Sequence, residues 1–169
     1  MNSLETSKIQ GIIDDLCHKI GGDWLLVGGS LVQLEYQGAR ATEDIDLIHL
    51  RHPHLSEVRS QDELFKAAYN RGLSPESVNS AARFFVSELK NWESQIVVLK
   101  KGPLGCVYKP NLTLFIALKL SRATETDLCD IEFAIKKEGI NSFDLKTFYD
   151  LTHVDTQKTF DSVRTRFNL

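Results

Sequence analysis

The sequence predicts an α/β fold, in which a β-sheet is flanked by helices and followed by a helical C-terminal part. Short apolar and β-branched runs fit strands at 24–27, 45–48 and 94–100. Helical stretches separate these runs, and strands that alternate with helices are typical of this class. The chain has 169 residues and no Gly-, Ser- or Pro-rich linker. We therefore expect one compact domain, with an α/β core over 1–110 and a helical part over 111–169 packed on it.

Helical periodicity and turn residues predict the remaining elements. Gly21 and Gly22 end the first apolar helical pattern, and Pro75 stands where the first turn of a helix accepts proline. Helices are predicted over 3–20, 30–37, 61–72, 74–92, 111–122, 127–137 and 142–151 and after Asp155, with a short fourth strand at 106–109.

Charge and composition exclude several classes of protein. A net charge of -3 and a pI near 5.9 exclude the broad basic face of a non-specific nucleic-acid binder. The 3 cysteines are scattered without the spacing of a zinc site or a disulfide framework. The sequence shows neither a secretion signal nor a membrane-spanning apolar stretch. We therefore expect a cytoplasmic protein without a membrane partner.

Two glycines and a serine lie between a predicted strand and a predicted helix. Gly28 and Gly29 let a ligand approach the backbone closely, and the first amides of the following helix point outward. Ser30 can cap that helix or donate its hydroxyl to a phosphate. The turn is therefore a candidate phosphate-binding site.

An acidic pair follows on the next predicted strand. Asp44 and Asp46 at i and i+2 would project from one face of the strand, roughly 6.6 Å apart along the backbone. Carboxylate oxygens together with substrate phosphates suit Mg²⁺. A D-x-D pair or a G-G turn alone is more often structural. Their combination favours a site for a metal-bound triphosphate, because like charges on a buried strand are unfavourable without a cation.

These residues resemble a known family. The GGS at 28–30 and the DID at 44–46 match the G-G-S…D-x-D signature of the nucleotidyltransferase superfamily of the DNA polymerase β type. Arg40 and Thr42 before the acidic pair are similar to the form found in its small bacterial members, the minimal and the toxin or abortive-infection nucleotidyltransferases. The resemblance implies a nucleotidyltransferase-type mixed sheet, one or two Mg²⁺ ions, and binding of ATP or another nucleoside triphosphate by residues that include Arg40 and Thr42.

A second segment, FIALKLSRATETDLCDIEFAIKKEGI (115–140), is similar to a helical element of the toxin-type members. The likeness implies that Lys119 contacts the triphosphate, with Arg122 assisting, and that Asp127 or Asp130 positions one of these cations. Spacing supports a meeting of the two pairs, since residues at i and i+3 share a helix face. A charge-paired contact between two adjacent helices is an equally good interpretation.

The chain departs from the family at the third carboxylate, which the family carries on a later strand. The predicted strand at 94–100 has no acid, and Glu93 is the nearest candidate. Without it, the enzyme would use one metal ion or let Asp46 take the proton of the acceptor. A catalytically inactive nucleotide-binding module is then an alternative.

The sequence thus predicts a magnesium-dependent nucleotidyltransferase that uses Asp44, Asp46 and Lys119. It would transfer a nucleoside monophosphate to an acceptor hydroxyl, with tRNA first among acceptors and protein second. The resemblance to toxin-type members also implies an antitoxin partner in a toxin–antitoxin system. A small-molecule acceptor of the antibiotic type and a non-catalytic interaction module are the alternatives.

Overall fold

A computed structural model describes residues 4–36 and 42–169. The chain divides into two compact units, Met1–Ala82 with Val97–Lys109, and Arg83–Ile96 with Pro110–Leu169. The first unit carries the β-sheet and the second is mainly helical. Residues 83–96 group with the helical unit, although they precede the boundary predicted at 110.

Within the described residues the sheet has five strands, one more than the four predicted, and it is mixed, as the family resemblance implied. In chain order the strands are β1 (Gly22–Val27), β2 (Ile45–Arg51), β3 (Val78–Asn79), β4 (Ile96–Lys101) and β5 (Gly105–Pro110). Their order across the sheet is β3-β2-β1-β5-β4. Strand β1 pairs antiparallel with β2 and parallel with β5, and β2 pairs parallel with β3. The α/β fold class is therefore confirmed.

Three helices accompany the sheet in the described part of the first unit. They are α1 (Thr6–Asp15), α2 (Gly28–Glu35) and α3 (Glu57–Asn70). Helix α1 continues into a π-helical turn, Leu16–Ile20, before the glycine pair that leads into β1. Ile9, Ile12 and Leu16 are fully buried, so the apolar periodicity that predicted this helix marks its packed side.

The single helix predicted over 74–92 is wrong. The segment forms a 3₁₀ turn (Pro75–Ser77), strand β3, helix α4 (Ala82–Ser87) and a second 3₁₀ turn (Trp92–Gln95). The reason is non-local, because Val78 and Asn79 pair with Ile45 and Asp46 of β2. Val78 is also buried. Sheet pairing and burial override the local helical tendency here.

The second unit contains most of α4 and the helices α5 (Leu112–Leu120), α6 (Glu125–Glu138), α7 (Leu145–Leu151) and α8 (Val154–Val163). The Asn111 side chain caps α5 by accepting the amide of Leu114. Phe148 and Phe160 are fully buried with ring centroids 4.6 Å apart. They form the aromatic core of this unit.

Among the described residues, every helix is too short or too polar to cross a membrane.

Candidate functional site

Gly28 and Asp46 meet at the end of β1. Val27 is paired with Asp46 in the β1–β2 register, and Gly28 directly follows Val27. Gly28 has a φ of +71°, and a Cβ atom built on it would lie 1.9 Å from Oδ2 of Asp46. The carboxylate therefore lies against the bare Cα of Gly28. Only glycine satisfies both the left-handed backbone and this contact.

Helix α2 begins at this glycine. Its first amides lack partners within the helix, so they are donors for an anion. Ser30 lies inside the helix, not at its cap, and is fully buried. Its hydroxyl donates to the Val27 carbonyl at 3.2 Å. Ser30 therefore does not cap the helix, which was one of the two roles considered for it, and its role toward a phosphate stays a prediction beside that of the amides of the turn.

The two aspartates differ in their surroundings. Strand β2 begins at Ile45, so Asp46 is a strand residue and is half-buried, whereas Asp44 precedes the strand and is exposed. The expectation that both lie on the strand holds for Asp46 alone. The Thr42 hydroxyl donates to the Asp44 carbonyl at 3.2 Å, and the Thr42 carbonyl accepts the Leu4 amide at 2.8 Å. Thr42 thus anchors the backbone that presents Asp44.

A third carboxylate does not join this pair in the strands that the structure describes. Besides Asp46, the described strands contain one acid, Asp23, which lies at the opposite end of β1 and forms an ion pair with Arg51. Glu93 is exposed in the Trp92–Gln95 turn of the second unit. Within the described residues, His, Cys, Asp and Glu form no group of three or more arranged to hold a metal ion. Asp44 and Asp46 nevertheless offer the oxygen ligands that Mg²⁺ takes together with substrate phosphates.

Asn79 of strand β3 lies beside Asp46, and the sequence did not indicate it as a site residue. It is paired with Asp46 in the parallel β2–β3 register. Registered residues of paired strands point to the same face of a sheet, so Asn79 accompanies Asp46. Its Oδ1 accepts the Ala81 amide at 3.1 Å. Because 74–92 was predicted to be helical, the sequence held no signal that would have placed Asn79 beside Asp46.

Lys109 lies near the end of β5, the strand parallel to β1. Its Nζ is 3.0 Å from a carboxylate oxygen of Glu35, the last residue of α2, and 5.5 Å from the ring centroid of Tyr36. Glu35 thus balances its charge. The pair joins the end of α2 to β5 within the first unit.

The second unit holds the other predicted site residues in one ion-paired cluster. Nζ of Lys119 lies 2.6 Å from Oδ2 of Asp130 and 3.2 Å from Oδ1 of Asp127. The guanidinium of Arg122 donates to the same Asp127 oxygen at 2.9 Å. The side chain of Lys119 is 6% exposed, whereas that of Arg122 is 52% exposed. Two cations and two carboxylates balance one another between α5 and α6.

Asp127 is the centre of this cluster. It also forms the capping box of α6 with Thr124, whose hydroxyl donates to Oδ2 of Asp127 at 2.7 Å. Burial raises the pKa of the Asp127 carboxyl, but the Thr124 hydroxyl, the Lys119 charge and the Arg122 guanidinium together hold this pKa below its ordinary value. The carboxylate is therefore ionised when the cluster is intact.

These contacts match the interhelical charge pairing that the sequence allowed as an alternative. The role of Lys119 and Arg122 toward a triphosphate stays a prediction, as do the supporting roles of Asp127 and Asp130. Arg40, the other predicted nucleotide-binding cation, lies outside the described residues.

Comparisons of this chain with protein-family models, curated proteins and solved structures find no match.

Proposed function

We propose that this chain is a magnesium-dependent nucleotidyltransferase, which transfers a nucleoside monophosphate from a nucleoside triphosphate to an acceptor hydroxyl. The observation that carries the proposal is the contact between the Asp46 carboxylate and Gly28. It places a half-buried acid directly beside the first amides of α2. Amides that can bind anionic phosphates and an acid that can bind a cation are therefore neighbours in this site.

The residues of this edge have separate tasks in the proposed reaction. The amides at Gly28 and Gly29 bind the β- and γ-phosphates, and Asp44 and Asp46 hold Mg²⁺. When bound, Mg²⁺ neutralises phosphate charge and favours departure of pyrophosphate. The acceptor oxygen attacks the α-phosphorus in line, the bond from that phosphorus to the bridging oxygen breaks, and pyrophosphate leaves. Asp46 is our candidate for the group that takes the proton of the hydroxyl.

We propose tRNA or protein as the acceptor, and an antitoxin as a partner of the chain. Both follow from the likeness of 115–140 to the toxin-type members. The compact ion-paired cluster at Lys119 supports a structural contribution of this segment as well. Arg122 is the more accessible candidate for binding the triphosphate, because it is the more exposed cation of the cluster.

The test is a transfer assay with Mg²⁺ and each α-labelled nucleoside triphosphate. The acceptors are total tRNA, total cell protein and an aminoglycoside, supplied separately. Asp46→Asn should reduce transfer at least about 100-fold, the scale on which one lost electrostatic contact slows an enzyme. Asp23→Asn is the matched control, because Asp23 is an acid of the same sheet at its opposite end. It should leave transfer unchanged.

Two outcomes contradict the proposal. One is a wild-type chain that transfers label to none of these acceptors, and the other is equal transfer by wild type and Asp46→Asn. Magnesium-dependent binding of triphosphate without transfer would point to the non-catalytic nucleotide-binding module instead.

A further inference from the structure

We infer that Asn79 binds the acceptor hydroxyl, on the side of Asp46 that faces away from Gly28. The inference rests on the proposed function and extends it to the subsite of the second substrate. Asn79 belongs to strand β3, which lies in a segment where the sequence predicted a helix.

The strand order fixes the relation of the three residues. Strand β2 lies between β1 and β3, so Asp46 has Val27, followed by Gly28, on one side and Asn79 on the other. Neighbouring strands are about 4.8 Å apart. Asn79 and Asp46 point to the same face because they are registered partners. A ligand held at Gly28 and extending past Asp46 therefore reaches Asn79 next.

The carboxamide of Asn79 presents donors at this position. A backbone N–H bonds only to an acceptor, so the bond from Ala81 assigns the oxygen and the nitrogen of the side-chain amide. The amide nitrogen of Asn79 has no hydrogen-bond partner among residues 4–36 and 42–169. The side chain is half-buried. Two N–H donors on a backbone-anchored amide are thus available beside Asp46.

The geometry of in-line displacement assigns these donors to the acceptor. The attacking oxygen and the leaving oxygen lie on opposite sides of the phosphorus. If the β- and γ-phosphates bind at the start of α2, pyrophosphate leaves on the Gly28 side of Asp46. The acceptor then approaches from the opposite side, where β3 presents Asn79.

Asn79 would donate a hydrogen bond to the acceptor oxygen and orient it. The amide is not a base, so the proton of the hydroxyl passes to Asp46 while the new oxygen–phosphorus bond forms and the bond to the bridging oxygen breaks. Loss of Asn79 should weaken capture of the acceptor and leave the triphosphate in place. An amide that bound the triphosphate itself would show the reverse pattern.

The experiment separates the two substrates in the full chain. Transfer is measured against increasing amounts of whichever acceptor takes label from wild type, at saturating triphosphate. Calorimetry with a non-hydrolysable ATP analogue and Mg²⁺ measures binding of the triphosphate by itself. Asn79→Ala should raise the half-saturating acceptor concentration roughly tenfold, the effect of one hydrogen bond, and change the affinity for the ATP analogue less than about twofold.

Two further variants keep the result interpretable. Asn79→Asp retains an oxygen to accept the Ala81 amide but removes both donors, so the turn is kept and the acceptor defect should persist. Ser80→Ala is the matched control, since it removes the neighbouring side chain, whose hydroxyl accepts from Gln61 at 3.3 Å. It should saturate with acceptor as wild type does.

The outcomes distinguish the inference from the proposed function. A wild-type chain without transfer activity overturns both. An active wild type whose Asn79 variants saturate at the same acceptor concentration overturns the inference alone. The inference is also overturned if the Asn79 variants lose affinity for the ATP analogue while acceptor saturation is unchanged.

Discussion

Gly28 and Asp46 are distant in sequence, and a direct contact joins them at the edge of the sheet. The sequence predicted both residues as parts of one site, because each stands in a local motif with a recognisable chemical role. It did not predict the contact. The contact depends on the β1–β2 register, which pairs Val27 with Asp46.

Gly28→Ala should lower both stability and triphosphate binding. The variant adds a side chain to a left-handed backbone, at about 1–2 kcal/mol, and forces its methyl group against the Asp46 carboxylate. Gly72→Ala is the matched control, since Gly72 has a φ of +69° with nothing within 4 Å of an added Cβ. Denaturant unfolding should show a larger loss for Gly28→Ala than for Gly72→Ala.

A double variant tests whether the excess loss comes from the Asp46 contact. Asp46→Ala removes the two carboxyl atoms nearest to the added methyl and leaves its own Cβ at 3.2 Å. Gly28→Ala should therefore be less destabilising in the Asp46→Ala background than in wild type. Equal losses in both backgrounds would show that the contact is not the cause.

The ammonium group of Lys119 is buried between the carboxylates of Asp127 and Asp130. Lys119→Met would leave Asp127 and Asp130 buried without the ammonium group that contacts both of them. Removing one partner of a buried ion pair costs about 3–5 kcal/mol. Thermal or denaturant unfolding should show a loss of this order. Lys136→Met, at an exposed position of α6, should be close to neutral, and equal effects of the two substitutions would contradict the ion-pair account.

Helix α6 depends on Asp127, since this carboxylate closes the capping box and also forms ion pairs with Lys119 of α5 and with Arg122. The pKa of the Asp127 carboxyl is below its ordinary value of 3.8 in the folded chain. A carboxyl group whose pKa is lower in the folded chain than in the unfolded chain stabilises the fold at pH values above its unfolded pKa. This stabilisation is lost as pH falls through the folded pKa.

The stability difference between wild type and Asp127→Asn should therefore be largest near neutral pH and shrink below pH 3.8. Asp155→Asn is the control, because the Asp155 side chain is 97% exposed in its ion pair with Lys158. It should show little difference at any pH. Unfolding free energies measured across the acid range check this, and a constant Asp127→Asn difference would contradict the lowered pKa.

Local sequence patterns were sufficient to predict some of the helices and strands but not others. Strands β1 and β2 and helix α5 follow from local signals, namely buried apolar runs and the Asn111 cap. Strand β3 does not, because its two residues owe their conformation to pairing with β2. Asn79 was missed for that reason, and the same pairing gives it a position beside Asp46.

At the scale of the whole molecule, the predicted site residues fall into two groups, one in each unit. The sheet unit contains Gly28, Asp44 and Asp46, and the helical unit contains the cluster around Lys119. The sequence anticipated both groups through short motifs. It did not indicate that residues 83–96 belong with the helical unit, because that grouping depends on long-range contacts such as the Lys90 amide with the Leu151 carbonyl at 3.1 Å.

The central claim is that the site at Gly28 and Asp46, where β1 ends and β2 begins, binds a magnesium-bound triphosphate. Calorimetric titration of the full chain with a non-hydrolysable ATP analogue, with and without Mg²⁺, tests this most directly when wild type, Asp46→Asn and Asp23→Asn are compared. We expect magnesium-dependent binding that Asp46→Asn weakens at least about tenfold, or 1.4 kcal/mol, and that Asp23→Asn retains. Absence of binding by wild type, or equal binding by wild type and Asp46→Asn, would contradict the claim.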